Sequence, residues 1–419
     1  MVENAQIPNI PRLPNTSHSD IVIIGAGISG LALANLLVNS VESNFTCTVV
    51  GPTFKSIDDI EMKTRVSSPI IKGHVLRKLG IPLNSQRSVY ERKVEVDGNV
   101  TSLGLFFAGF IKWNLNRRLA YDPVHFLDIN LAQKDMYEML SDNPRIHFID
   151  SKFRGVEVDR NRITSVVIAD GQKINNPQLI VDATGRKARV ANELNKHIPN
   201  AVSETRTAKP SILISGFVEI NNTLSEASSF LYEGSSVFFL KEGVLCAVSP
   251  IKQMEGSSST HVLFFEGRTQ TMESVLKKAR SSPHSAEYHD TIVELFRLLS
   301  EDTKLEELVL NIKSVDRVIN FRHEDDVKRK VHAVDSGLVL VGDSQSFTNP
   351  LIGSGFRNII TDINALYEAL NSSTNLQDAA RLYNIMSKKK ERIKAAKSKL
   401  RYSIAKAASL IFGTGNLYN

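Results

Sequence analysis

The chain has 419 residues, 42% hydrophobic and 23% charged, with two cysteines (Cys47 and Cys246) and a formal net charge of +6. This is the balance of a soluble globular protein of two or three structural units, and two distant cysteines exclude a disulfide framework. The segment 388–406, KKKERIKAAKSKLRYSIAK, alone holds nine Lys or Arg and one Glu; the rest is near neutral, which argues against a nucleic-acid-binding surface.

Residues 1–18 read as a flexible lead-in, because no basic stretch precedes an apolar core as in a signal peptide. A reducing, cytoplasmic setting is expected. DIVIIGAG predicts a buried strand, ISGLALANLLVNS a helix and FTCTVVG a second strand. A helix is expected near 69–80, a strand over 104–112 and a helix over 131–141. RIHFID, GVEVDRNRITSVVIADG and QLIVDATG follow as strands. Residues 211–266 change character to short strands punctuated by Gly, Ser and Pro, the pattern of a mostly antiparallel sheet. Helices are expected at about 271–281 and 286–300, and a last strand, LVLVGD, runs into a second glycine-rich loop and a helix.

The predicted fold class is α/β. A Rossmann-like dinucleotide-binding domain (19–85, 125–205 and 325–370) is interrupted by a mostly antiparallel β-sheet substrate domain (86–124 and 206–324). A C-terminal basic, amphipathic helical segment covers 371–419. Within it Ile393, Ala396, Leu400, Ile404 and Ile411 form an apolar stripe ringed by lysines. Two readings stand for that stripe: a helix packed on the domain, or an interfacial helix over 388–411 meeting anionic lipid.

The segment Gly25-Ala26-Gly27-Ile28-Ser29-Gly30 has the G-x-G-x-x-G spacing directly after a strand and directly before a helix. The first glycine permits the tight turn, the second lets a pyrophosphate approach the backbone, and the third lets helix and strand pack closely. The helix N-terminus supplies N–H donors to phosphate. Dinucleotide binding is the reading. One partner is missing: Gly51 stands at the end of the second strand, where an Asp or Glu should hold the ribose.

Four further stretches carry a family resemblance. RVSSPIIKGHVLRKLGI begins at Arg65 and precedes an LxxLG-like helix end, and INLAQKDMYEML contains Gln133. QLIVDATGRKARV contains Thr184 and Gly185; VLVGDSQSFTNPLIGSGFRNIITDINAL contains Gly342, Asp343, Pro350, Gly353, Ser354, Gly355, Phe356 and Asp362. Together with the first glycine loop, these make three fingerprints in order, roughly 155 residues apart. The chain resembles the FAD-dependent aromatic hydroxylases of the para-hydroxybenzoate hydroxylase fold, and the ubiquinone-precursor hydroxylases look nearest.

The resemblance implies an FAD-dependent monooxygenase, an oxidoreductase that adds one oxygen atom of O2 to an aromatic or unsaturated small molecule through a flavin hydroperoxide. NADH or NADPH would supply electrons, directly or through a partner flavin reductase. Arg65 and Gln133 would touch the flavin. Asp343 would accept hydrogen bonds from the ribityl chain, and Pro350 to Gly355 would bring backbone and a helix N-terminus to the ring.

Six positions depart from the family pattern. Thr184 replaces an Asp, Ala188 and Ala191 replace a Ser and an Arg, and Ser344-Gln345-Ser346 stand where the family has Ala-Ala-His. The same departures fit two alternatives: a two-component flavin epoxidase or other flavoprotein oxidoreductase of this fold, or a non-catalytic scaffold in a biosynthetic complex. Arg186, Lys187 and Arg189 read as a solvated turn, and FFAGFIKW with Trp113 as core or interface. The histidines and cysteines show no metal-ligand spacing. No catalytic base stands out.

Overall fold

The computed structural model describes residues 19–40, 45–52, 71–81, 89–96, 124–127, 129–221, 235–241, 244–253, 258–267, 286–301, 306–348 and 355–387, with a few helical positions over 270–277. The expectations placed on Arg65, Trp113, the strand at 104–112, Pro350, Gly353, Ser354 and the 388–411 stripe fall outside these residues.

The chain opens with β1 (Ile21–Ile24), α1 (Ile28–Ser40) and β2 (Cys47–Val50). Next come β3 (Ile71–Lys72), α2 (Gly73–Lys78), β4 (Val89–Val96), β5 (Val124–Leu127), α3 (Ile129–Ser141) and β6 (Ile146–Ile149). The hairpin strands β7 (Phe153–Asp159), β8 (Arg162–Ile168) and β9 (Lys173–Asn175) precede β10 (Leu179–Asp182) and α4 (Arg189–His197). The second half holds β11 (Val202–Asn221), β12 (Ser235–Lys241), β13 (Val244–Gln253), β14 (Ser258–Gly267), α5 (Ala286–Ser300), α6 (Glu306–Leu310) and β15 (Ile312–Val331). Last come β16 (Leu338–Leu340), β17 (Ser346–Phe347), α7 (Gly355–Asn371) and a helix α8 over 376–387.

Five strands form a parallel sheet in the order β16-β10-β1-β2-β6. Strands β1, β2 and β10 are buried at every residue, which is why they read as unbroken apolar runs instead of alternating ones. One face packs on α1, α3, α7 and α8 through Leu31, Leu33, Met136, Leu366 and Tyr383. The other packs on the β7–β9 sheet and α4 through Val166, Ile174, Val190 and Leu194.

The second sheet has nine strands in the order β17-β15-β11-β14-β13-β12-β4-β5-β3, and its pairs are antiparallel except β4 with β12. Its longest strands, β11 and β15, have 20 residues each and pair from Val202–Val331 to Ile220–Ile312. They run unbroken through the junctions expected at 205/206 and 324/325. At the sheet edge β17, part of the third fingerprint, pairs with Val327 and Lys328. The expected helix near 69–80 is shorter: within its span β3 occupies 71–72 and α2 runs over 73–78.

Helix α8 locks onto β16. Tyr383 Oη donates to the Leu340 carbonyl at 2.5 Å, and Asn384 Nδ2 donates to that of Leu338 at 3.0 Å. No described helix is long and apolar enough to cross a membrane.

Gly30 shows how tightly α1 meets β1. A Cβ there would stand 2.0 Å from the Gly25 carbonyl oxygen, a backbone atom that no rotamer change can move. We expect Gly30→Ala to lower stability by at least about 3 kcal/mol in chemical denaturation, by forcing helix and strand apart.

Candidate functional site

Strands β1, β2 and β6 lie to one side of the β1/β10 boundary and β10 and β16 to the other, so the chain reverses direction across the sheet there. Open α/β sheets bind ligands at that switch point, outside the carboxyl ends of the strands. Three loops leave those ends: Gly25–Gly27 from β1, Ala183–Gly185 from β10, and Gly342–Ser344, a 3-10 turn, from β16.

The glycines of these loops divide in two. Gly25 (φ +117°) and Gly342 (φ +64°) are packing glycines: an added Cβ would lie 2.4 Å from the Ala183 carbonyl oxygen and 2.4 Å from Ser29 Oγ, respectively. Gly185 and Gly355 face open space among the described residues, and Gly27 meets only Gln133 Nε2, at 4.0 Å. Open backbone at Gly27, Gly185 and Gly355, with the Gln133 amide beside the first loop, is the cradle that a dinucleotide cofactor requires. The helix α1 N-terminus opens beside Gly27, and α7 begins at Gly355.

Two buried charged groups fix the loops. Asp182, the last residue of β10, is fully buried. Its Oδ1 accepts from the Thr184 amide (3.0 Å), Thr184 Oγ1 (2.7 Å) and Ser344 Oγ (3.0 Å). Its Oδ2 accepts from the Val190 and Ala191 amides in the first turn of α4, at 3.0 and 3.1 Å. A buried carboxylate is retained only with such donors, and the helix N-terminus favours its negative charge. Thr184 Oγ1 in turn accepts from the Arg189 amide at 2.8 Å.

Arg329 on β15 is the cationic counterpart. Its Nε donates to Glu204 Oε2 (2.8 Å), one terminal nitrogen to the Ser344 carbonyl (3.0 Å), and the other to the Arg186 carbonyl (2.7 Å). One guanidinium therefore ties the β10 loop, the β16 loop and the β11/β15 pair together. Burial pushes the Glu204 carboxyl up, but hydrogen bonds and charges from Arg206 and Arg329 outweigh it and hold the group below the usual carboxylate range.

The Ser344-Gln345-Ser346 departure has a structural account. Ser344 serves Asp182, and Ser346 pairs in β17 with Lys328. Gln345 is buried with its amide nitrogen toward α7 and α8, 2.7 Å from Tyr383 Oη and 3.2 Å from Asp362 Oδ1, while Asp362 Oδ2 accepts from the Gly342 amide at 3.0 Å. Thr184 and Ser344, at two separate departures, thus meet on one carboxylate. Asp343 lies in the turn, three residues past the end of β16, and is half-buried.

Arg186 corrects the reading of a solvated turn. Lys187 and Arg189 are exposed, but Arg186 is half-buried with its guanidinium carbon 4.8 Å above the Phe347 ring. On Phe347 also rests His323, 5.3 Å away between ring centroids. His323 is fully buried, with Nε2 3.2 Å from Asp326 Oδ1. Sequence reasoning missed His323, Asp326 and Arg329, because a strand rich in both charges reads as a solvated edge. Cys47 is no nucleophile: burial pushes its thiol up to about 12.

The geometry agrees with comparisons to known proteins. The structure superposes on PqsL of Pseudomonas aeruginosa, described as a probable FAD-dependent monooxygenase, with a TM-score of 0.62 and 18% identity over 94% of this chain and 97% of that one. The chain has the FAD-dependent monooxygenase fold. The flavin-dependent brominase Bmp2 matches with a TM-score of 0.64 and 13% identity, covering 96% of this chain and 90% of that one. HpxO of Klebsiella pneumoniae, in complex with FAD and uric acid, matches with a TM-score of 0.59 and 17% identity over 94% and 89% of the two chains. Residues 319–410 match the squalene epoxidase family model. No curated protein sequence matches the chain. Nothing in these likenesses bears on the ubiquinone-precursor branch.

Replacing Arg329 by Met leaves Glu204 Oε2 and the Ser344 and Arg186 carbonyls without this donor. Thermal and urea unfolding should show a loss of about 3–5 kcal/mol, the cost of breaking a buried pair from one side. The depressed Glu204 carboxyl gives a second outcome. Its contribution to stability is complete above the ordinary glutamate value of about 4.3 and is lost as pH falls below it. A pH series of urea midpoints should show this loss in the native protein and a smaller one in Glu204→Gln.

Proposed function

We propose that the protein is an FAD-dependent monooxygenase that adds one oxygen atom of O2 to an aromatic or unsaturated small molecule. The observation that carries this reading is the meeting of three glycine loops at the sheet's switch point, with open backbone at Gly27, Gly185 and Gly355. FAD, when bound, supplies electron transfer and oxygen activation.

The chain's own residues bind and orient. Gly25, Ala26, Gly27, Ile28, Ser29 and Gly30 would hold the pyrophosphate at the α1 N-terminus. Thr184, Gly185, Gly342 and Asp343 would line the path of the ribityl chain. Gln133 would lie along the first loop, and Gly355 and Phe356 would bring the positive end of α7 toward the ring. Arg65, Pro350, Gly353 and Ser354 belong to the same reading on the family pattern alone. The nine-stranded sheet, joined to the third loop through β17, would cover the substrate side and exclude water.

A second reading within the class has its own support: a flavin epoxidase that receives reduced flavin from a partner reductase. Residues 319–410 resemble squalene epoxidase, and Thr184 stands where the fingerprint's Asp would serve a nicotinamide nucleotide. An apolar, unsaturated substrate suits that reading. So does peripheral contact of the basic 388–411 segment, which follows α8 in the sequence, with anionic lipid.

The test is reconstitution of the purified full chain with FAD, followed by addition of NADH and NADPH under air. Stoichiometric flavin with rapid bleaching by either nucleotide supports the single-component enzyme. Bound flavin that bleaches only with an added flavin reductase supports the second reading. A chain that retains no FAD overturns both and leaves a scaffold.

A further inference from the structure

The cofactor reading leaves one gap. The dinucleotide fingerprint puts an acid at the end of β2, and this chain has Gly51. The structure shows why. A Cβ at residue 51 would lie 2.7 Å from the Ala26 amide nitrogen and 2.9 Å from Ala26 Cβ. The first glycine loop occupies the space a side chain would need, and the Gly25 amide, donating to the Val50 carbonyl at 2.8 Å, holds it there.

The neighbouring strand offers a replacement. β2 and β6 run parallel and in register from Cys47–Ile146 to Val50–Ile149, and the Gly51 amide donates to the Ile149 carbonyl at 3.1 Å. The residue that follows the end of β6 is Asp150. It stands one strand spacing, about 4.8 Å, from the position that lacks its acid, at the same carboxyl edge of the sheet.

Its orientation follows from alternation and from a neighbour. Ile149 packs among residues of the α4 side, whereas Phe148 packs among those of α1 and α3, so Asp150 is aimed at the α1/α3 side. Tyr137 on α3 agrees: burial pushes its phenol up, and the nearby Asp150 carboxylate adds to the effect. That is the side on which a residue-51 Cβ would strike Ala26. Asp150 is also exposed, so a ligand in solvent can reach it.

We propose that Asp150 accepts hydrogen bonds from the adenosine ribose hydroxyls of FAD, replacing the acid that Ala26 excludes from position 51. The assignment rests on the FAD reading above. A carboxylate accepting from a ribose diol makes charge-assisted bonds, which are the stronger kind.

The test measures FAD affinity by quenching of flavin fluorescence in the full-length native protein, Asp150→Ala and Asp150→Asn. The flavin-free melting temperature of each is recorded beside it. Asp150→Ala should weaken FAD binding at least about tenfold, the scale of a lost charged hydrogen bond, and Asp150→Asn nearly as much. Melting temperatures should match, because the side chain is exposed. Native-like FAD affinity in the variants overturns the role of Asp150 and leaves the flavin reading intact. A fall in flavin-free melting temperature that accounts for the weaker binding also overturns it, by making the residue structural. A native chain that binds no FAD overturns the reading on which the proposal rests.

Discussion

A carboxylate with no exposed surface must be surrounded by hydrogen-bond donors, and the way this chain surrounds Asp182 organises the rest. Five groups donate to it, from the β10 loop, the first turn of α4 and the β16 loop. The donors fix the ends of two loops and the first turn of a helix, whose amides have no ladder partner there. The carboxylate therefore does for three loop and helix ends what a hydrogen-bond ladder does for strands. Arg329 works in the opposite sense: a buried cation gathers carbonyls from the same two loops and carries them to β15. The anion collects N–H and O–H groups and the cation collects C=O groups, so both polar ends of the loop backbone are satisfied without water.

This arrangement joins the two sheets at one place. The β16 loop begins at the end of the parallel sheet and returns as β17 on the edge of the antiparallel one. Between them lie only Val341 to Gln345, and Gln345 is bound to Tyr383 and Asp362. The β15–β17 pair is thereby joined to the end of β16 through this short bridge. Phe347, held between Arg186 and His323, is the last side chain of the bridge before the loop that leads to Gly355.

Much of this was legible in the sequence. Buried parallel strands read as apolar runs, and three glycines at fixed spacing between strand and helix carry their own stereochemical reason. The order of the fingerprints gave the interrupted Rossmann plan. What the sequence hid was compensation between distant positions. Thr184 and Ser344 each looked like an erosion of a motif, yet they are 160 residues apart and donate to one oxygen atom. Arg329 sits in an alternating run of charges, EDDVKRK, that describes a solvated strand equally well. Asp150 follows a strand 99 residues downstream of Gly51, and only the parallel register of β2 and β6 makes them neighbours.

The contact between Ala26 and position 51 has a consequence for sequence comparison. A single substitution cannot place an acid at residue 51, because any side chain there meets main-chain nitrogen unless the glycine loop also shifts. A search for relatives that demands an acid after the second strand will pass over such chains, although the sheet beneath them is unaltered.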